Sequence, residues 1–222
     1  MPREPEKHSV LIVDDHPLFR QGLRQMIDRD PALTVCGEAP DAASALEAVT
    51  EFKPDLVIVD ITLETSNGLE LIKTLKSKYE DLPILVISMH DESLYAERSL
   101  RAGALGYVMK NAPAKVVKAA IFKVLGGDIF LSEKMSTSVL SKLMGGKNQP
   151  PVSPLEQLSD RELEVFQMMG QGKPTRQIAE ELNLTIPTIH SFRNRIKEKL
   201  QFKNATEMML HAIQWVRESL SR

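Results

Sequence analysis

From Ser9 to Leu125 the chain alternates, five times over, between a short apolar run and a longer stretch with helical spacing. The runs are Ser9–Val13, Thr34–Cys36, Leu56–Val59, Ile84–Ile87 and Gly106–Met109, largely β-branched. The stretches are Leu18–Ile27, Ala42–Phe52, Leu69–Tyr79, Leu94–Ala102 and Ala114–Leu125. Five strand–helix units in series predict a parallel sheet with helices on both faces. Leu56-Val-Ile-Val59 is apolar at every position, as a strand covered on both sides should be. The expected class for residues 8–125 is therefore a doubly wound, five-stranded α/β domain.

After Leu125 the pattern changes. Gly126-Gly127 ends a helix, and Lys134–Met144 could form a short one. Gly145-Gly-Lys-Asn-Gln-Pro-Pro-Val-Ser-Pro154 is a linker by composition, so 126–154 reads as a connection. From 155 to 218 only helices are expected. Ser159 and Glu162 form a capping box at the start of one, and Gly170 and Gly172 mark its end. Thr175 can cap a second helix through Leu182. Thr185 can cap a third to about Leu200, with Pro187 tolerated in its first turn. A fourth runs from Ala205 to about Glu218.

Charged and polar residues stand where the strands end. Asp14 and Asp15 follow the first strand, Asp60 the third, Ser88 the fourth and Lys110 the fifth. In a sheet ordered 2-1-3-4-5, strands 1 and 3 are neighbours whose connections leave in opposite directions, opening a crevice at their carboxyl ends. Three carboxylates converging there need a cation, and a hard all-oxygen set suits Mg²⁺. One carboxylate can then act as a nucleophile toward a phosphoryl group. Mg²⁺ and Lys110 would neutralise the phosphoryl oxygens, and Ser88 would donate a hydrogen bond to one of them.

Val10-Leu-Ile-Val-Asp-Asp-His-Pro-Leu-Phe-Arg20, Asp55-Leu-Val-Ile-Val-Asp60 and Gly103-Ala-Leu-Gly-Tyr-Val-Met-Lys110 resemble the receiver domain of two-component response regulators, a flavodoxin-like fold. The resemblance implies that Asp60 accepts a phosphoryl group from a sensor histidine kinase. It implies that Asp15 binds Mg²⁺ directly, Asp14 mainly through water, and that the backbone carbonyl of Thr62 completes the ligands. It makes Ser88 and Tyr107 a switch pair, with Tyr107 turning inward as Ser88 moves to the phosphoryl group. The sequence departs from the pattern at Glu64 and at Asn111, where receivers commonly have proline; Gly68 fits it.

Leu158-Ser-Asp-Arg-Glu-Leu-Glu-Val165, Gln177-Ile-Ala-Glu-Glu-Leu182 and Thr188-Ile-His-Ser-Phe-Arg-Asn-Arg-Ile-Lys-Glu-Lys-Leu200 resemble the LuxR-type helix-turn-helix of the NarL/FixJ regulators. Ile189, Phe192, Ile196 and Leu200 fall on one side of the third helix, as a core face should. A helix on such a support can lie in the major groove. By matching position, His190, Ser191 and Asn194 are base readers. Arg193, Arg195, Lys197 and Lys199 are candidates for phosphate contacts. The resemblance makes the last helix, with Met208, Met209, Ala212 and Trp215, a dimerisation element, so the active form is expected to be a homodimer on DNA.

The net charge of −2 alone argues against a nucleic-acid binder. Its distribution reverses that reading: Arg193, Arg195, Lys197, Lys199 and Lys203 face a single acid, Glu198, between Ile186 and Lys203. The single cysteine, Cys36, excludes an intrachain disulfide. A polar N-terminus and the lack of a membrane-length apolar run predict a cytoplasmic protein with no membrane contact. His8, His16 and His211 have no ligand spacing and read as structural. The leading expectation is a transcription regulator, not an enzyme. Two other readings use the same residues: a Mg²⁺-dependent phosphatase or phosphotransferase working through Asp60, and a regulator whose receiver works without phosphorylation.

Overall fold

The computed structural model describes residues 7–63, 66–143 and 153–220. Glu64 and most of the glycine- and proline-rich linker, 144–152, lie outside the described residues. The chain divides into two compact units, Met1–Gly146 and Lys147–Arg222.

In the first unit β1 (His8–Val13), α1 (Pro17–Asp28), β2 (Leu33–Ala39), α2 (Ala42–Phe52) and β3 (Leu56–Val59) follow in order. A short antiparallel hairpin comes next, β4 (Thr62–Leu63) with β5 (Ser66–Asn67). Then come α3 (Gly68–Lys78), β6 (Ile84–Ser88), α4 (Glu92–Ala102), β7 (Gly106–Met109), α5 (Ala114–Leu125) and α6 (Glu133–Leu143). The five long strands are all parallel, in the order β2-β1-β3-β6-β7. This is the doubly wound order expected from the sequence, with β1 and β3 adjacent. Alternate strand residues face opposite sides. Val10, Ile12, Leu56 and Ile58 pack with Leu23 and Ile27 of α1 and with Val117, Ile121 and Val124 of α5. Leu11, Val13, Val57 and Val59 face the other side and are equally buried.

Local chemistry starts the helices. Pro17 opens α1, and Asp41, Asn67 and Asp91 accept backbone N–H groups at the starts of α2, α3 and α4. Adjacent strand ends are tied together: Asp14 N–H donates to Ala39 O at 3.0 Å, Asp60 N–H to Val13 O at 2.8 Å, and Lys110 N–H to Ser88 O at 2.8 Å. All described peptide bonds are trans, that from Lys110 to Asn111 included.

Three features differ from the sequence expectation. First, β2 runs to Ala39 rather than Cys36. Gly37 and Glu38 are poor strand formers, yet they pair in register with Leu11 and Ile12, and the Phe52 ring fills the space beside Gly37. Second, the hairpin between Asp60 and α3 was not foreseen. Gly68 closes it, and a Cβ there would lie 2.0 Å from Asp60 O. Third, the segment read as linker is packed through its first half. Gly127 (φ 83°) turns the chain back, Phe130 bridges to Gly106 of β7, and Met135 of α6 is buried. Ser132 donates to Glu92 of α4 at 2.9 Å.

The second unit contains a 3₁₀ turn, Pro154–Gln157, then α7 (Asp160–Gly170), α8 (Thr175–Glu181), α9 (Ile186–Lys199) and α10 (Ala205–Leu220). The Ser159–Glu162 capping box is present in both directions. Thr185 caps α9 through the Thr188 N–H, with Pro187 in the first turn. Thr175 does not cap α8; Pro174 stands at that position, and the Thr175 hydroxyl instead accepts from Arg193 Nη1 at 2.7 Å. Leu163, Phe166, Met169, Ile178, Ile189, Ile196, Met208 and Ala212 form the buried interior.

Candidate functional site

Two carboxylates and one ammonium meet where β1, β3 and β7 end. Lys110 Nζ lies 2.6 Å from Asp14 Oδ2 and 2.7 Å from Asp60 Oδ2, and no side chain of the three is more than 5% exposed. Charge interactions gain strength in such a setting. Lys110 also stands 4.5 Å from the Phe19 ring centroid, a cation–π contact. With Lys110 on one oxygen of Asp60, the other, Oδ1, is buried and without a hydrogen-bond partner among the described residues. Burial pushes the Asp60 carboxyl above its ordinary range; Lys110 pulls it down and Asp14 adds to the rise.

Asp15 borders the same crevice. Carboxylate oxygens of Asp14, Asp15 and Asp60 and a ring nitrogen of His16 lie within 4.8 Å of one another. His16 therefore belongs to the cluster, against the structural reading given to it from the sequence. Its Nδ1 is 2.5 Å from Asp15 Oδ1 and 3.2 Å from Asp14 Oδ1. The signal was adjacency to two aspartates; spacing rules written for paired histidines miss it. The three carboxylates carry more negative charge than Lys110 offsets, and Asp60 Oδ1 lacks a partner. A hard, oxygen-seeking divalent cation fits this donor set.

Ser88 and Tyr107 meet at a residue the sequence reading passed over, His90. Ser88, 1% exposed, accepts from the His90 N–H at 3.4 Å. Tyr107, 2% exposed, donates its hydroxyl to the His90 carbonyl at 2.7 Å. The inward position of Tyr107 is thus the one this structure holds. Burial keeps its phenol protonated far into the alkaline range. The His90 ring stacks on Tyr95, and Nε2 is 2.6 Å from the Thr62 hydroxyl. Burial, then the Lys110 charge, lowers the His90 pKa to about 4. Thr62 itself is exposed, at the start of β4.

In the second unit, His190, Ser191 and Asn194 are exposed on α9, opposite the buried Ile189 and Ile196. Residues three and four apart share a helix face, so these three side chains form one outward patch. The four cations expected at phosphates differ in circumstance. Lys197 is half-buried. Arg195 lies over the Phe192 ring, 4.7 Å from its centroid, and 3.9 Å from Glu162. Arg193 is bonded to Thr175. Lys199 Nζ is 2.6 Å from Glu162 Oε2, whose side chain is 2% exposed. Lys199 is therefore engaged in neutralising a buried acid. On α10, Met208 and Ala212 are core and Trp215 packs on Phe166, 5.9 Å between centroids. Leu210 is the large apolar residue exposed among the described residues of that helix, and it lines an open pocket with Asn204, Thr206, Glu207, His211 and Gln214. His211 packs against Phe202.

A five-stranded parallel sheet with an acidic crevice, followed by a helix-turn-helix unit, defines a class of two-domain regulator. Residues 10–122 match the response regulator receiver domain, and residues 156–212 match the bacterial regulatory proteins of the luxR family. The chain is 30% identical over 209 residues to the oxygen regulatory protein NreC of Staphylococcus carnosus, spanning 92% of this chain and 96% of that one. It is 29% identical over 226 residues to the transcriptional regulatory protein DegU of Brevibacillus brevis, spanning 95% and 96%. A solved structure of RcsB from Salmonella enterica serovar Typhimurium, bound to promoter rprA in the presence of phosphomimetic BeF₃⁻, is 25% identical. It covers 93% of this chain and 98% of that one, with a TM-score of 0.69. The chain belongs to the NarL/FixJ family of two-component response regulators, transcription regulators with a receiver and a LuxR-type DNA-binding domain. Among the described residues no helix is long and apolar enough to cross a membrane.

Proposed function

We propose that Asp60 accepts a phosphoryl group from a sensor histidine kinase and that this controls binding of the second unit to promoter DNA. The observation that carries the reading is the divided state of Asp60. Lys110 holds Oδ2, while Oδ1 is buried with no partner among the described residues. Oδ1 attacks phosphorus, the P–N bond of the donor phosphohistidine breaks, and the departing imidazole takes a proton from solvent. Lys110, already between Asp14 and Asp60, neutralises charge on the transferred group, and Ser88 donates its hydroxyl to one of the oxygens. Mg²⁺, held by Asp15, Asp60 and the Thr62 carbonyl, with Asp14 acting through water, would supply the remaining charge neutralisation. A neutral acid is a poor nucleophile; burial raises the Asp60 carboxyl, and Lys110 works against that rise in favour of the ionised form.

On DNA, His190, Ser191 and Asn194 read base edges, while Arg193, Arg195 and Lys197 contact phosphates. Lys199 ranks behind them because its ammonium is committed to Glu162. The active form is a homodimer, and the outer face of α10 around Leu210 is the surface available for pairing. A regulator that reaches promoters must share their compartment, and this supports a cytoplasmic location. The chemistry is one phosphorylation per activation, so the protein is a switch rather than a turnover enzyme.

Incubation with acetyl phosphate and Mg²⁺ tests the assignment. One phosphoryl group is expected on Asp60, with labelling abolished in Asp60→Asn. Undiminished labelling of that variant would move the acceptor elsewhere.

A further inference from the structure

Arg20 closes the sequence stretch that opens with Asp14-Asp15, and the phosphoryl chemistry above gives it no task. It sits in the first turn of α1, yet its side chain is only 15% exposed. The guanidinium turns back toward the end of β1. Nη1 donates to the main-chain carbonyl of Asp14 at 2.5 Å, and Nε donates to Glu38 Oε2 on β2 at 3.2 Å. The other oxygen of Glu38 accepts from Arg24 Nε at 2.5 Å. Burial opposes the charge of Glu38, but Arg24 and then Arg20 more than offset it, and its pKa lies below the ordinary range. The anchor is therefore ionised at neutral pH.

The bonded carbonyl belongs to the peptide that joins Asp14 to Asp15. A peptide unit is planar and rigid, so fixing its oxygen fixes the direction in which the chain enters Asp15. The same turn is held elsewhere by Asp14 N–H on Ala39 O at 3.0 Å and by His16 N–H on Asp14 Oδ1 at 2.8 Å. Those bonds set the Asp14 backbone and carboxylate. The Arg20 bond bears on the peptide leading to Asp15.

We propose that Arg20 is a positioning residue for the acidic crevice: anchored on Glu38, it holds the Asp14–Asp15 peptide so that Asp15 presents its carboxylate to a divalent cation. This rests on the Mg²⁺-dependent reading of the crevice. A purely electrostatic role has the opposite signature. Arg20 is a cation bonded to the turn that carries Asp14 and Asp15, so removing its charge would by Coulomb's law tighten the binding of another cation. Loss of a positioning contact loosens it instead. Support of this kind behind a metal ligand is typically worth about 10–100-fold in affinity. The planar fork of arginine serves two acceptors in fixed directions; a lysine ammonium keeps the charge and loses that geometry.

Mg²⁺ titration of the full-length protein, followed by amide shifts near Asp60, separates these cases, with acetyl phosphate labelling rates measured alongside. Arg20→Gln and Arg20→Lys are both expected to weaken Mg²⁺ binding by about tenfold. Labelling should slow at low Mg²⁺ and recover toward the wild-type rate at saturation. Arg24→Gln loses the outer partner of Glu38 but keeps the bond to Asp14, and should bind Mg²⁺ as wild type does. Glu38→Gln, which leaves Arg20 in place without its ionic anchor, should fall between. Unchanged amide shifts in the first unit away from the crevice and an unchanged far-ultraviolet spectrum mark the variants as folded. Tighter or unaltered Mg²⁺ binding in Arg20→Gln, or full rescue by Arg20→Lys, overturns the proposal. If Arg20→Gln does not fold, unaltered Mg²⁺ binding in Glu38→Gln overturns it as well. A wild-type protein that neither binds Mg²⁺ nor takes label defeats the reading of the crevice itself, a result visible before any variant is made.

Discussion

Burial works against the charge of Asp60. Its pKa in the fold is raised above the ordinary 3.8, with burial the largest cause. The fold therefore favours the protonated carboxyl, so stability is fullest below the unfolded value and declines as pH rises through the raised one. Asp60→Asn has no charge to bury. In metal-free buffer it is expected to melt above wild type at neutral pH, and the gap should close as pH falls toward 3.8. An equal or lower melting temperature at neutral pH would show that the Lys110 pair outweighs burial. Lys199 poses the reverse case. Burial opposes the charge of Glu162, but hydrogen bonds from Lys199 and Ser159 and the Lys199 charge hold its pKa below the ordinary value of 4.5. This contribution is present above 4.5 and is lost as pH falls through the lowered value. Lys199→Ala removes one partner of a buried acid and should cost about 1–2 kcal/mol. Chemical denaturation reads that loss; a variant as stable as wild type that only binds DNA less well would return Lys199 to the phosphate contacts.

At the scale of elements, α9 divides its labour by face. Ile189 and Ile196 fix the helix on its support, Arg193 ties it to α8, and His190, Ser191 and Asn194 are left outward. Changing His190 or Asn194 is expected to alter preference at particular base pairs, by about 1–3 kcal/mol per good contact. Lys197→Ala should instead weaken binding to all sequences alike and lower the salt slope by about 1. Binding titrations over operator variants and ionic strengths distinguish the two. Uniform weakening from His190 and Asn194 would remove them as base readers. Helix α10 has its own constraint. Gly170 reads in the sequence as a helix end, but a Cβ there would lie 2.3 Å from Ala212 O, so α7 and α10 pack backbone to backbone.

For the whole molecule, the second unit buries its own core, from Leu155 and Leu158 through Phe166 and Ile178 to Met208 and Ala212. A fragment from Ser153 to Arg222 is therefore expected to fold cooperatively and bind DNA by itself. A bound phosphoryl mimic can shift the full-length protein only as far as it prefers one state over another. Sedimentation and DNA titration of the full-length chain, with and without beryllofluoride and beside the fragment, give the test. A gain in mass together with affinity supports control through dimerisation. A fragment that outperforms the unmodified full-length chain supports relief of inhibition. No change in mass or affinity would leave a receiver that works without phosphorylation.

The sequence by itself determined the sheet and its order, because apolar strand runs and amphipathic helices repeat with periods that packing must satisfy. It also determined which acids face the crevice, since a residue directly after a parallel strand emerges at the sheet's carboxyl edge. Helix starts at Ser159 and Thr185 were legible because a cap acts within a few residues. Thr175 was misread because a distant partner, Arg193, claimed its hydroxyl. Only the tertiary structure decided that Lys199 serves Glu162, that His90 gathers Ser88, Tyr107 and Thr62, and that 128–143 packs within the first unit. Each of these brings in at least one partner distant in the chain, and the selection among such partners is made by packing, which no local pattern encodes.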